Sequence, residues 1–167
     1  MSIFNKESCK IKEPLKLALG GGDDWGKLTA DSVKKERERA LKAAEEVMQY
    51  SYDLILLEAQ IRCSEYHAAK KEFSKKDLEY GYLNTYVRRD KDTNSMRFSK
   101  RAKVTDTFTF RKNLRMSAGG YSIKTLRGNS KHDEELYAAC ETEDHYEILR
   151  KRGKDIRVAI RKVRRLR

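Results

Sequence analysis

Residues 82–127 read YLNTYVRRDKDTNSMRFSKRAKVTDTFTFRKNLRMSAGGYSIKTLR, and they decide the fold. No other long region has β-branched and aromatic residues in short runs broken by turn chemistry. Strands are predicted over 82–89, 95–104 and 107–116, with turns at 90–94 and at Thr105-Asp106. Gly119-Gly120 reads as a hairpin turn into a shorter fourth strand, 121–126. In the first strand Leu83, Thr85 and Val87 alternate with Tyr82, Tyr86 and Arg88. In the third, Phe108, Phe110 and Lys112 share one face, and Thr107, Thr109 and Arg111 the other. Such alternation puts aromatics inward and cations outward on an antiparallel sheet with one solvated face.

Helices are expected on either side. Upstream, Asp31 or Ser32 caps a long helix. Ala40, Ala44, Val47, Met48, Ser51, Leu54, Ile55 and Ile61 follow three-and-four spacing. No glycine or proline intervenes before Gly81, so this helix is expected to pass residue 70. The run Leu54-Ile55-Leu56-Leu57 is apolar most of the way round. It points to contact on two sides, with the sheet on one and a second helix or a second subunit, hence a homodimer, on the other. Downstream, Ser130 with Asp133 resembles a capping box. Leu136, Cys140, Leu149, Ile156, Ile160 and Val163 form a helical stripe, with a kink expected at Gly153. The fold class is therefore α+β: a long N-terminal helix, a small antiparallel sheet of three to four strands, and a basic C-terminal helix. Residues 29–167 form one domain in this reading. They follow a flexible arm, 1–28, that carries Pro14, Gly20-Gly21-Gly22 and Trp25.

The charge is unevenly spread. The chain of 167 residues carries +12, yet 128–149 sum to −6 while 81–127 and 150–167 each sum to +9. Positive charge thus gathers on the strands and at the C-terminal end, and the two are expected to share a face. A surface of this kind meets polyanions, with nucleic acid first and an anionic membrane surface second. The candidate contacts are Arg88, Arg89, Arg97, Lys100, Arg101, Lys103, Arg111, Lys112 and Arg115 on the sheet, with Arg157, Arg161, Arg164 and Arg165 on the last helix. A two-stranded ribbon from 86 to 101 is of a kind that enters the major groove of duplex DNA and places arginines on guanines.

Chemistry is harder to find. His67, His132 and His145 form no His-x-His pair, and there is no Cys-x-x-Cys. A five-residue offset puts Cys140 and His145 on different helix faces, a poor nucleophile–base pair. Asp90, Asp92 and Asp106 all fall at turns, and the acids between 128 and 149 read as a solvated helix surface. No catalytic residue, metal site or cofactor is expected. Cys9, Cys63 and Cys140 are read as reduced thiols. With no apolar core of a signal peptide near the start and no bilayer-length apolar run, the expected location is the cytoplasm, with no membrane partner.

The order of short motifs supports a narrower expectation. Tyr86-Val87-Arg88-Arg89 is followed by Phe98-Ser99-Lys100-Arg101, then Gly119-Gly120-Tyr121-Ser122 and Leu126-x-Gly128. Glu141-Thr142-Glu143-Asp144 and Ile148-Leu149-Arg150-Lys151 come last. Over about its C-terminal half the chain resembles the MobI-like mobilisation accessory proteins of integrative conjugative elements and conjugative plasmids. The resemblance implies a DNA-binding accessory role at an origin of transfer, beside a separate relaxase. It carries over no catalytic residue. An RNA- or ribosome-binding protein, and a phage-type inhibitor that captures a nucleoprotein complex, are the competing readings of the same cations.

Overall fold

A computed structural model describes residues 29–75, 81–90, 93–103 and 109–166. The arm 1–28, the turn residues 91–92, the break at Thr105-Asp106 and the expected strand start at Thr107 and Phe108 lie outside the described residues. The elements are α1 (Ala30–Lys75), β1 (Leu83–Asp90), β2 (Thr93–Lys103), β3 (Thr109–Asn113), α2 (Ile123–Arg127) and α3 (Asp133–Leu166). The class is α+β, with the long first helix and the small antiparallel sheet as expected.

The described residues form two compact units. One takes residues up to Gln49 and from Ala159 onward, and the other is Tyr50–Val158. In the first, Arg37 Nη2 donates to Leu166 O at 3.2 Å and Arg164 Nε donates to Glu45 Oε1 at 2.8 Å. α1 is capped there by Thr29, not by Asp31 or Ser32. Thr29 Oγ1 accepts from Ser32 N at 3.1 Å, and Ser32 Oγ accepts from Thr29 N at 3.2 Å. That reciprocal pair is a capping box with serine in the usual place of glutamate.

The second unit holds the sheet, in the order β1-β2-β3 with both pairings antiparallel. Leu83, Thr85, Met96 and Phe98 are buried on one face. Tyr66 of α1 meets Phe98 edge-on with ring centroids 5.8 Å apart, and Tyr146 of α3 lies 6.1 Å from the same ring. Both helices therefore pack on that face. On α1 the buried stripe is Tyr52, Ile55, Ala59, Tyr66, Lys70 and Phe73. The apolar run divides: Ile55 points into the core, while Leu54 and Leu57 stay 45% and 53% exposed.

Two further expectations need correction. The fourth strand does not form. Ser122 Oγ accepts from Thr125 N at 3.2 Å and opens the helical turn α2, because a local cap outweighs a weak β preference. α3 is capped by His132, whose Nδ1 accepts from Glu135 N at 3.2 Å; Ser130 Oγ instead donates to Leu126 O at 2.7 Å. Gly153 lies inside the single helix α3. A β-carbon there would come within 3.2 Å of the Tyr52 ring, so the glycine lets α1 and α3 approach closely.

Candidate nucleic-acid interface

Strand alternation sorts the candidate cations into two sets. The register pairs Leu83 with Lys100, Thr85 with Phe98, Val87 with Met96 and Arg89 with Asn94, so these residues belong to the face that carries the helices. Lys112 pairs with Lys100 and belongs to it too. Arg89 is tied to Asp53 at 3.1 Å, and Lys100 Nζ lies 5.6 Å over the Tyr82 ring. Neither is an open contact.

The outer face is different. Tyr86 is opposite Arg97, Arg88 opposite Ser95, and Arg101 opposite Arg111. Arg88, Arg97, Arg101 and Arg111 are all exposed on this one face. Among the described residues Arg97, Arg101 and Arg111 have no carboxylate within ion-pair distance. Two arginines directly opposite each other repel, so the Arg101–Arg111 pair weakens the sheet unless an anion lies over it. Tyr86 joins the patch, with its hydroxyl 3.3 Å from Asn113 Oδ1. Lys103 ends β2 opposite Thr109, and Arg115, just past β3, is exposed. Arg161, Arg164 and Arg165 belong to the other unit, where Glu45 holds Arg164.

Arg157 is brought close to the sheet. A cavity of about 300 Å³ opens beside residues 94–97 of β2, where β3 gives them no partner, and Arg97, Arg157, Arg150 and Lys154 line it. Its apolar wall is Ile55, Met96, Met116 and Leu149. Among the described residues no Asp or Glu lines it. Lys154 and Arg150 were not among the sequence candidates, although 150, 154 and 157 follow four-three spacing on one helix face.

What holds this surface in place is a set of buried charges, whose acids the sequence reading placed in solvent. β1 is an edge strand, and its outward backbone groups are closed by helix side chains. Lys70, fully buried, donates to Gly81 O at 2.9 Å and to Leu83 O. His67 Nε2 lies 2.9 Å from Thr85 O. Glu135, also fully buried, accepts from Leu83 N at 2.7 Å and Tyr82 N at 3.1 Å, and lies 3.8 Å from Lys70 Nζ. Burial pulls the Lys70 amine down to about 8, although Glu135 pulls the other way.

The device is used twice. Glu143 accepts from Tyr121 N at 2.7 Å and pairs with Arg150. Burial raises its pKa against the pull of both partners. In each case the amide follows a glycine, Gly81 or Gly120, whose missing β-carbon leaves room for the carboxylate. Gly120 also has a φ of 144°, which disfavours any side chain there. Arg150 reaches on to Met96 O at 3.2 Å and so fixes β2 beside the cavity. Glu135 and Glu143 are eight residues apart, two turns of α3, and share the stripe of Ala139, Tyr146 and Leu149. That spacing was the available signal.

Among the described residues no three His, Cys, Asp or Glu side chains group as metal ligands, and no helix is long and apolar enough to cross a membrane. Cys63 and Cys140 are free thiols, and burial raises the pKa of each. No protein-family model, curated protein or solved structure matches the chain.

Proposed function

We propose that this protein binds duplex DNA through the outer face of its sheet. In this reading it serves as an accessory protein at an origin of conjugative transfer, beside a separate relaxase and without catalysis of its own. The carrying observation is the Arg101–Arg111 pair, opposite each other across β2 and β3, with Arg97 and Arg88 on the same face. A polyanion relieves that repulsion, and its released counterions drive binding. The MobI-like resemblance supplies the transfer context. The β1–β2 ribbon is the element that enters the major groove, and phosphate contacts alone give it no sequence preference.

The test is a salt titration of affinity for duplex DNA. Four phosphate contacts predict a slope of log affinity against log salt of about −3.6, and removing Arg101 or Arg111 should flatten it by about one each. A flat slope for the unaltered protein refutes the reading. A clear preference for structured RNA over the duplex would transfer it to RNA. Homodimerisation belongs to the same proposal. Tyr50, Leu54, Leu57 and Ile61 recur at four-three-four spacing along α1 and are 66%, 45%, 53% and 51% exposed. Light scattering should give twice the chain mass, falling to the single mass in Leu57→Glu.

A further inference from the structure

The cavity beside β2 has a shape and chemistry that phosphate binding on an open sheet does not need. We infer that it receives one nucleotide, a purine base against its apolar wall and a phosphate at its cationic rim. The inference rests on the DNA-binding reading for where that nucleotide comes from, but its chemistry stands separately.

Volume is the first argument. About 300 Å³ is at the small end of ligand sites, room for one nucleotide and not for a paired or stacked dinucleotide. Charge is the second. Arg97 arrives from β2 and Lys154 from α3, with Arg157 also at the wall, and among the described residues the lining includes no carboxylate. Arg150, also at the wall, is bound to Glu143 and Met96 O and acts as a fixed positive background. Arg97 and Lys154, cations from two elements around one opening, suit the oxygens of a phosphate.

Asn94 is the third. It lines the cavity, and both its Nδ2 and its Oδ1 are buried without a hydrogen-bond partner among the described residues. Leaving both amide atoms unsatisfied is destabilising, and such a group calls for an explanation. Its backbone N is anchored to the Tyr52 hydroxyl at 2.9 Å, which holds the residue at the cavity wall. A side-chain amide donates and accepts at once, the pattern that matches the N6/N7 edge of adenine. Met96 and Met116 supply soft, adaptable surface against the ring. The nucleotide is either free in solution or lifted out of a DNA strand, and the site would recognise both by the same groups.

The experiment compares three probes on the full chain: a fully paired duplex, the same duplex with one unpaired deoxyadenosine nucleotide, and free dAMP. Two variants accompany it. Asn94→Ala removes an amide that makes no hydrogen bond among the described residues, and Lys154→Gln alters an exposed side chain, so both should fold. Thermal melts check that they do. The unpaired nucleotide is expected to improve binding about tenfold. Each variant should erase that gain while leaving the paired duplex within about twofold. Free dAMP that binds, loses affinity in both variants and meets no preference for the unpaired probe would also uphold the cavity, with a free nucleotide as its ligand. Equal affinity for both duplexes together with no dAMP binding overturns the inference. So does any nucleotide preference that survives both substitutions. A normal salt slope on the paired duplex in those cases leaves the outer-face reading standing. A flat slope with variant-sensitive dAMP binding sinks that reading and keeps this one.

Discussion

The two faces of the sheet treat charge in opposite ways. Toward the helices, Lys70, Glu135, Glu143 and Arg150 are buried or nearly so, and each is bound to backbone groups and to an opposite charge. On the outer face, Arg97, Arg101 and Arg111 remain in solvent, two of them directly opposed. A buried ion that loses its partner keeps its full desolvation penalty, whereas an exposed one is screened by water. The first set should therefore govern stability and the second set binding, with little crossover.

The largest break in that contrast should come from Glu135→Ala. It leaves the Lys70 ammonium buried without its counter-ion and frees the amides of Tyr82 and Leu83. A loss of about 3–5 kcal/mol is expected in denaturant unfolding. Arg101→Ala should fall within about 0.5 kcal/mol of the parent in the same experiment.

Next comes the pH dependence of stability. Folding lowers the Lys70 pKa from 10.5 to about 8, so the unfolded chain holds more protons between those values. Stability should therefore rise as pH increases above 8, by up to about 1.4 kcal/mol per pH unit. The rise should be absent in Lys70→Met. From pH 9 the raised thiols of Cys63 and Cys140 oppose this rise, and above pH 10 the raised hydroxyls of Tyr121 and Tyr146 join them, because all four keep protons that the unfolded chain gives up.

A smaller effect is expected at Gly81. In Gly81→Ala the new β-carbon meets the Glu135 carboxylate, which must move off the amides it serves. About 1–3 kcal/mol should be lost, as for other disturbed buried polar groups. The smallest effect, of opposite sign, belongs to Arg111→Ala. Relieving the cross-strand repulsion should leave stability unchanged or raised by a few tenths of a kcal/mol, while affinity for DNA falls. A stability loss as large as that of Glu135→Ala would erase the distinction between the two faces.

Much of the fold was legible in the chain. The first helix, the alternation in β1 and the basic strands follow from local periodicity and turn residues, which act over a few positions. The errors were local contests that sequence could not decide. Ser122 made a helix cap where β-branched residues suggested a strand, and His132 took the capping place expected of Ser130. The cavity was hidden because its wall joins α1, β2, the segment after β3, and α3.

By itself the sequence determined the two long helices and the first three strands, the excess of cations on the strands and at the last helix, and the lack of a histidine pair or paired cysteines. Tertiary structure alone decided which cations are open and which are closed. Alternation divides the strand arginines and lysines between two faces, and only the register identifies the face that the helices cover. It also placed Glu135 and Glu143 inside, because a carboxylate is stable there only where another segment brings amides, a cation and the empty space of a glycine to meet it.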